Sequence, residues 1–168
     1  MTELEQVWAA MLDAAAGKAA GLGRHEAAEY LRLKATNDAI RAAGVKWLFD
    51  TMIEIAVETQ QNHPRLTIER QEPHRFARGN SRMVGSLLSI GHGVRCLTVE
   101  AGWTRLPGDG FMRGAALAFG RITHFGLPRE STELKLVHGD DLPHWVGEKG
   151  ETIETSQLKR HFEVFLGM

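Results

Sequence analysis

The densest group of side chains that could do chemistry lies between residues 138 and 144. His138, Asp140, Asp141 and His144 place two imidazoles and two carboxylates just after a predicted strand. Such groups bind divalent cations and act in acid–base catalysis. Their spacing matches no metal-ligand signature such as H-E-x-x-H. We therefore interpret the segment as a solvated acidic loop and expect no metal ion there.

Glu100 and His124 are the candidates for catalytic groups. Both lie on predicted strands, and in a small enzyme they could stand with Arg121 at the wall of a pocket. Strand alternation argues against this trio, because it places Arg121 and His124 on opposite faces of a regular strand. The one cysteine, Cys96, lacks the sequence context of a cysteine nucleophile, and the glycine spacing matches no dinucleotide-binding motif. We expect no cofactor.

Arginines are concentrated in the middle third of the chain. Residues 65–121 contain nine arginines and no lysine against four acidic residues, a net charge of +5, whereas each flanking segment carries −3. Arginine forks onto carboxylates and phosphates and is weakly hydrated, which suits interfaces. The alternative is that the arginines pair with acidic residues on the flanking helices. The candidates for binding an anionic partner are Arg78, Arg82, Arg95, Arg113 and Arg121.

Composition and charge exclude several broad classes of protein. The 168 residues are 43% hydrophobic and 24% charged, as in ordinary globular domains. The acidic flanks would repel a phosphate backbone and no RNA-binding sheet motif occurs, so nucleic acid is not an expected partner. No apolar run approaches the roughly 18 residues of a membrane span, and the acidic start is unlike a signal peptide. We expect a cytoplasmic protein without membrane contact.

The first sixty residues have the periodicity of two helices. Apolar residues at three- and four-residue steps predict a first helix over residues 3–20, with Thr2 as a possible N-cap. A second helical region covers residues 25–61 and would be roughly 55 Å long if straight, at ~1.5 Å per residue. A compact domain of this size is only about 40 Å across. We predict a kink near Gly44, the alternative being a projecting helix covered by another subunit.

Residues 45–57 are the most apolar part of this second helix. Their hydrophobic side chains fill an arc of about 200° on a helical wheel, whereas a surface helix shows a stripe a little over ~100° wide. Such a helix is expected to be covered on two sides, by a sheet and by another helix or a second subunit. We therefore expect a homo-oligomer.

From Arg65 the hydrophobic period changes to two, which predicts antiparallel strands joined by short turns. Turns are predicted at residues 79–80, 91–93, 107–110 and 126–129. A closing helix over residues 156–166 would be capped by Thr155 or Ser156 and would end at Gly167. The predicted strands cover residues 66–69, 74–78, 83–90, 95–103, 111–124 and 133–138, with one short strand around Trp145.

These elements predict an α+β fold, with N-terminal helices and a short C-terminal helix packed on one face of a mostly antiparallel five- or six-stranded sheet. We expect one domain over residues 1–168, divided into a helical part (1–62), a sheet (65–138) and a loop with the closing helix (139–168). The expected function is a non-enzymatic binding or assembly module that self-associates through the helix around 45–57, with an Arg-rich sheet facing an anionic partner. The alternative is a small enzyme or small-molecule binder with a pocket between sheet and helices.

Overall fold

The structure, a computed structural model, describes residues 3–21, 23–140 and 142–168, and in these ranges the predicted α+β fold is confirmed. Three helices accompany six strands, with short 3₁₀ turns at Pro107–Asp109 and Pro128–Glu130. The helices are α1 (Glu3–Gly21), α2 (His25–Gln60) and α3 (Thr155–Leu166). The strands are β1 (Thr67–Arg78), β2 (Ser81–His92), β3 (Arg95–Trp103), β4 (Ala118–His124), β5 (Thr132–Val137) and β6 (His144–Val146).

The six strands form a meander, in which each strand pairs antiparallel with the next in chain order. β1 is therefore an edge strand, which suits Pro73 because proline cannot donate to the hydrogen-bond ladder of a central strand. β1 also unites the two strands predicted over residues 66–69 and 74–78. The pairing register shifts between Gln71 and His74, at the site where the sequence had suggested a gap.

Alternation along β3 separates the two faces of the sheet as predicted. Leu97 and Val99 are fully buried beneath the helices, whereas Glu100 points to the other side. We call the side under the helices the inner sheet face and the side that carries Glu100 the outer sheet face. The main core lies between the inner sheet face, α2 and α3.

α2 is one uninterrupted helix of 36 residues, so the predicted interruption near Gly44 is wrong. The glycine instead permits close packing, because a Cβ at Gly44 would lie only 2.5 Å from Cδ2 of Leu136 on β5. The Gly44 carbonyl also accepts a hydrogen bond of 2.9 Å from Nε1 of Trp145 on β6. Gly44 is thus the point where α2 is fixed to the sheet.

The apolar arc of residues 45–57 is mostly buried within its own chain. Its exposed member is Val57, near the end of the helix, and Trp47, which lies outside the arc, is exposed as well. The expectation that two different elements cover this helix agrees with the core, where the sheet and α3 both contact it. The buried members of the arc are Val45, Leu48, Phe49, Met52, Ile55 and Ala56.

The N-terminal half of α2 extends away from the main core and packs against α1. Asp38 holds the two helices together, since its buried carboxylate accepts hydrogen bonds from Nε1 of Trp8 at 3.1 Å and from Arg41 at 2.8 Å. Nζ of Lys34 lies 3.4 Å from the same carboxylate and forms a third contact with it. A buried carboxylate without such partners would cost several kcal/mol, so these contacts favour one arrangement of the helical hairpin.

Two predicted boundaries in the sheet are wrong. Only Ala118–His124 of the predicted strand 111–124 is β-structure, because Gly114 and Ala115 have φ values of 67° and 55°, in the left-handed region that interrupts a strand. The hairpin predicted at residues 91–93 turns later, since β2 continues to His92 and pairs there with Arg95. Gly91 and Gly93 had suggested an earlier turn, but the backbone pairing of β2 with β3 continues through His92.

The ends of α3 show one correction and one confirmation. The N-cap is Glu154, not Thr155 or Ser156, and its backbone N–H donates to Oε1 of Gln157 at 2.9 Å. Gly167 ends the helix in the left-handed conformation, as predicted. Thr2, the possible cap of α1, lies outside the described residues.

We predict that Gly44→Ala destabilises the fold by about 1–3 kcal/mol, because the new methyl group would displace Leu136 from its place against the helix. The matched control is Gly17→Ala on α1, where nothing lies within 4 Å of the position that a Cβ would occupy. That substitution should stabilise the helix by up to about 1 kcal/mol, since alanine is the better helix former. Urea unfolding of both variants checks this, and equal stabilisation by the two would contradict the role given to Gly44.

Candidate functional site

A chain of ionic hydrogen bonds crosses the outer sheet face. The strand register places Glu100 beside Arg121 and Arg121 beside Glu133. Arg121 donates to Glu100 at 3.3 Å and to Glu133 at 3.4 Å. His74 lies 2.8 Å from the second oxygen of Glu100, and Arg78 donates to the second oxygen of Glu133 at 3.0 Å. Four strands, β1, β3, β4 and β5, are linked in this way.

The geometry of this chain is that of a structural crosslink. Both oxygens of Glu100 already accept a bond, and the side chains of Glu100 and His74 are each only 17% exposed. The Arg78 guanidinium lies 3.7 Å from the centroid of the Phe119 ring, which shields its other side. The sequence had placed Glu100 among the catalytic candidates. In the fold its carboxylate is hydrogen-bonded to Arg121 and His74 of the same sheet.

His124 lies on the inner sheet face, away from Glu100 and Arg121, as alternation predicted. Its Nε2 is 2.8 Å from Nδ1 of His161 on α3, while its own Nδ1 is buried without a partner among the described residues. We assign the proton to Nε2 of His124, because this tautomer buries an unpaired lone pair in place of a more costly unpaired N–H. The imidazole pair thus fastens α3 to β4.

Burial lowers the pKa of both imidazoles of this pair. For His161, desolvation and the neighbouring His124 and Arg160 lower the pKa to about 4. For His124 desolvation also lowers the pKa, against a smaller opposing effect of Glu130. Both rings are therefore neutral at pH 7 and suited to mutual hydrogen bonding.

The five arginines predicted to bind an anionic partner do not share one surface. Arg78 and Arg121 lie in the ionic chain on the outer sheet face. Arg95 donates to the carbonyl of Phe165 at 3.1 Å, near the C-terminus of α3, where a cation is favoured by the helix dipole. Arg82 and Arg113 are exposed. Arg78 and Arg121 thus bond acidic residues on strands, and Arg95 bonds a helix carbonyl. In the described chain none of these three pairs with an acidic residue on a flanking helix, which was the alternative that the sequence left open.

The structure describes three of the four metal candidates of the 138–144 segment. His138 and Asp140 are exposed, and Nδ1 of His144 lies 3.3 Å from the carbonyl oxygen of Leu142. Asp141 lies outside the described residues. Among the residues that the structure describes, no group of three or more histidine, cysteine, aspartate or glutamate side chains could hold a metal ion.

A surface that the sequence did not indicate lies where the N-terminal half of α2 overhangs the loop after β3. This groove has a volume of about 280 Å³, and we call it the hairpin groove. Three basic side chains accompany its apolar ones: Lys34, Arg41 and Arg105. The large apolar side chains that line it are Tyr30, Leu33, Leu106, Phe111 and Met112.

Two of the three basic side chains of the hairpin groove, Arg41 and Arg105, donate to backbone carbonyls, and Lys34 is held by the Asp38 carboxylate. Nε of Arg41 donates to the Leu117 carbonyl at 2.7 Å, and Nη2 of Arg105 donates to the Val84 carbonyl at 3.0 Å. The Arg105 guanidinium also lies 3.8 Å from the Trp103 ring centroid. Desolvation lowers the pKa of Arg105, but an arginine stays charged at neutral pH. Sequence reasoning missed this groove because it assigned Phe111 to a strand.

Comparisons of the chain with protein-family models, with curated proteins and with solved structures find no match. The described helices include none that is long and apolar enough to cross a membrane. Function must therefore be inferred from the surfaces and cavities of the chain.

We predict that the imidazole pair makes stability depend on pH. Unfolded histidines take up protons near pH 6.5, whereas folded His161 does so only near pH 4, so protons favour the unfolded chain between these values. The free energy of unfolding should be unaffected by this pair above about pH 6.5. It should fall by up to about 3 kcal/mol as the pH drops from 6.5 through about 4.

His161→Gln isolates this effect, because glutamine keeps an acceptor for Nε2 of His124 and does not titrate. Urea unfolding at pH 7 and at pH 4.5 should show a smaller loss of stability for this variant than for the natural chain. His25→Gln, at an exposed position at the start of α2, is the control and should lose as much as the natural chain. If His161→Gln behaves like this control, the pair does not cause the pH dependence.

Proposed function

We propose that the chain is a non-enzymatic assembly module that binds a second copy of itself through its helical part. The observation that carries this proposal is the exposure of the hairpin groove. Tyr30, Leu33 and Leu106 are each about 60% exposed, and Phe111 is 84% exposed. A contiguous apolar surface of this kind on a folded domain is typical of a protein–protein contact.

The segment of the second copy that fits the hairpin groove is α1. The side of α1 that faces away from α2 carries an exposed apolar stripe, Leu4, Val7 and Met11, at the spacing of one helical face. Leu12 and Ala16, on the side that packs on α2, are buried. α1 therefore has one face for its own chain and a second apolar face without a described partner.

Charge complementarity supports this arrangement. In the hairpin groove Lys34 and Arg41 already pair with Asp38 of the same chain, whereas Arg105 also contributes a positive charge. α1 carries the exposed Glu3 beside its apolar stripe. If α1 of each copy enters the groove of the other, the same two surfaces meet twice around a two-fold axis. This reciprocal contact closes a dimer and prevents open-ended growth.

The assembly surface differs from the one expected from the sequence. Residues 45–57 have most of their apolar arc in the core, so they offer a partner little beyond Trp47 and Val57. An anionic partner stays a prediction for Arg78, Arg82, Arg95, Arg113 and Arg121, of which Arg82 and Arg113 are exposed and have no side-chain hydrogen bond in the described part of the chain. An enzyme built on Glu100, His124 and Arg121 is disfavoured, because these side chains lie on opposite faces of the sheet.

We predict that light scattering gives the mass of a dimer at low and at high salt. Salt resistance is expected because apolar contacts dominate the surface, with the charged rim contributing orientation. Phe111→Ser combined with Leu33→Ser should weaken the dimer tenfold or more, since buried aromatic and leucine side chains at such contacts are each worth about 1 kcal/mol or more.

Phe125→Ser is the matched control, because Phe125 is 73% exposed but does not line the hairpin groove. Its mass should equal that of the natural chain. A monomer at every concentration reached would overturn the proposal. A dimer that the control weakens as much as the double variant would place the contact elsewhere.

A further inference from the structure

A separate apolar cavity of about 410 Å³ lies between α2 and the β5–β6 edge of the sheet. Leu136 and Trp145 form its floor, and Ile40, Ala43 and Trp47 of α2 form one wall. Leu142 and Pro143, which precede β6, lie on the opposite side. Its volume falls within the range of small-molecule sites, roughly 300–1,000 Å³.

The floor of this cavity is held rigidly by the contact that fixes α2 to the sheet. The Leu136 side chain lies against Gly44, and the Trp145 indole donates its N–H to the Gly44 carbonyl at 2.9 Å. The floor residues are 1–2% exposed, so the cavity is bounded by well-packed core on that side. A site formed in advance binds a ligand without a cost of ordering its walls.

The chemistry of the lining selects the ligand. None of the described lining residues is an acid, a lysine or an arginine, so the cavity offers no charged partner to a phosphate or a nucleotide. The Trp145 N–H is already used. The register of β5 and β6 pairs Leu136 with Trp145 and Val137 with His144, so the His144 side chain lies on the other face of the sheet from the floor of the cavity.

Trp47 gives the site a preference for aromatic ligands. This indole lines the cavity from α2 and is 40% exposed. An aromatic ring in the cavity would cover the exposed indole and gain the favourable geometry of aromatic pairs. At the packing density of protein interiors, the volume suits roughly 10 to 15 non-hydrogen atoms.

We propose that this cavity binds a small fused-ring aromatic molecule. The rings lie between Trp47 and the floor of Leu136 and Trp145. The site is independent of the hairpin groove, since the two share no lining residue.

The test uses 1-naphthol as the probe and the indole N–H signals of Trp47 and Trp145 in the ¹⁵N-labelled full chain. 1-Naphthol should shift both signals with a dissociation constant of about 1 mM or tighter, given its size. The aliphatic probe n-octanol, with the same hydroxyl group, should bind at least fivefold more weakly. Equal binding of the two would overturn the aromatic assignment.

Ala43→Leu fills the cavity from an exposed position on α2 and should weaken 1-naphthol binding at least tenfold. Ala27→Leu is the matched control at an exposed position of the same helix, and it should bind as the natural chain does. Absence of a shift in the natural chain, or a shift that both variants retain, would overturn the proposal. A change of solution mass in Ala43→Leu, with no naphthol binding to the natural chain, would assign the cavity to a second copy and overturn it as well.

Discussion

The close contact between Gly44 and the β5–β6 part of the sheet is the constraint on which the rest of the structure depends. Leu136 can lie against the helix there only because Gly44 has no side chain, and Trp145 adds a hydrogen bond to the carbonyl of the same residue. A helix of 36 residues is about 54 Å long, whereas six strands at about 4.8 Å spacing span roughly 24 Å. A helix fixed near its middle must therefore extend well beyond the sheet, and the overhanging half needs α1 to cover it.

Both candidate binding surfaces follow from this mismatch in length. The overhanging half of α2 cannot reach the inner sheet face, so Tyr30 and Leu33 meet the loop after β3 across an open groove. At the anchor itself, the helix is drawn close to Leu136, and the space beside Trp47 is left unfilled up to Leu142. Neither opening results from a poorly packed core, since the core residues on the inner sheet face are almost fully buried.

Periodicity in the sequence was sufficient for elements whose conformation is set by their own residues. The bounds of β3 follow from strict alternation between Arg95 and Trp103, and the end of α3 follows from Gly167. The role of Gly44 was not predictable in this way, because it depends on Leu136, 92 positions further along the chain. The segment before Ala118 failed for a different reason: its small residues fit a strand by type, but Gly114 and Ala115 adopt left-handed backbone angles.

The candidate site likewise combines features that local sequence patterns predicted with contacts between distant residues that they could not predict. Alternation alone separated Arg121 from His124 correctly. Their partners, Glu133 and His161, required the strand register and the docking of α3, which no local pattern contains. Phe111 belongs to the hairpin groove only because the preceding 3₁₀ turn and the left-handed residues after it hold it out of the sheet. Tertiary contacts, which periodicity does not report, decide these positions.

Part of the uneven distribution of charge along the chain is balanced once the chain is folded. Arg78 and Arg121 meet Glu133 from the acidic final segment, and Arg95 meets the C-terminal end of α3. Each surface ion pair of this kind contributes little to the free energy of unfolding. Such pairs therefore affect strand register and side-chain orientation more than stability. The features left without a partner in the described chain are mainly apolar: the stripe on α1, the hairpin groove and the cavity beside Trp47. Recognition by this protein should therefore depend on burial of apolar surface, with cations at the rim of the hairpin groove setting its direction.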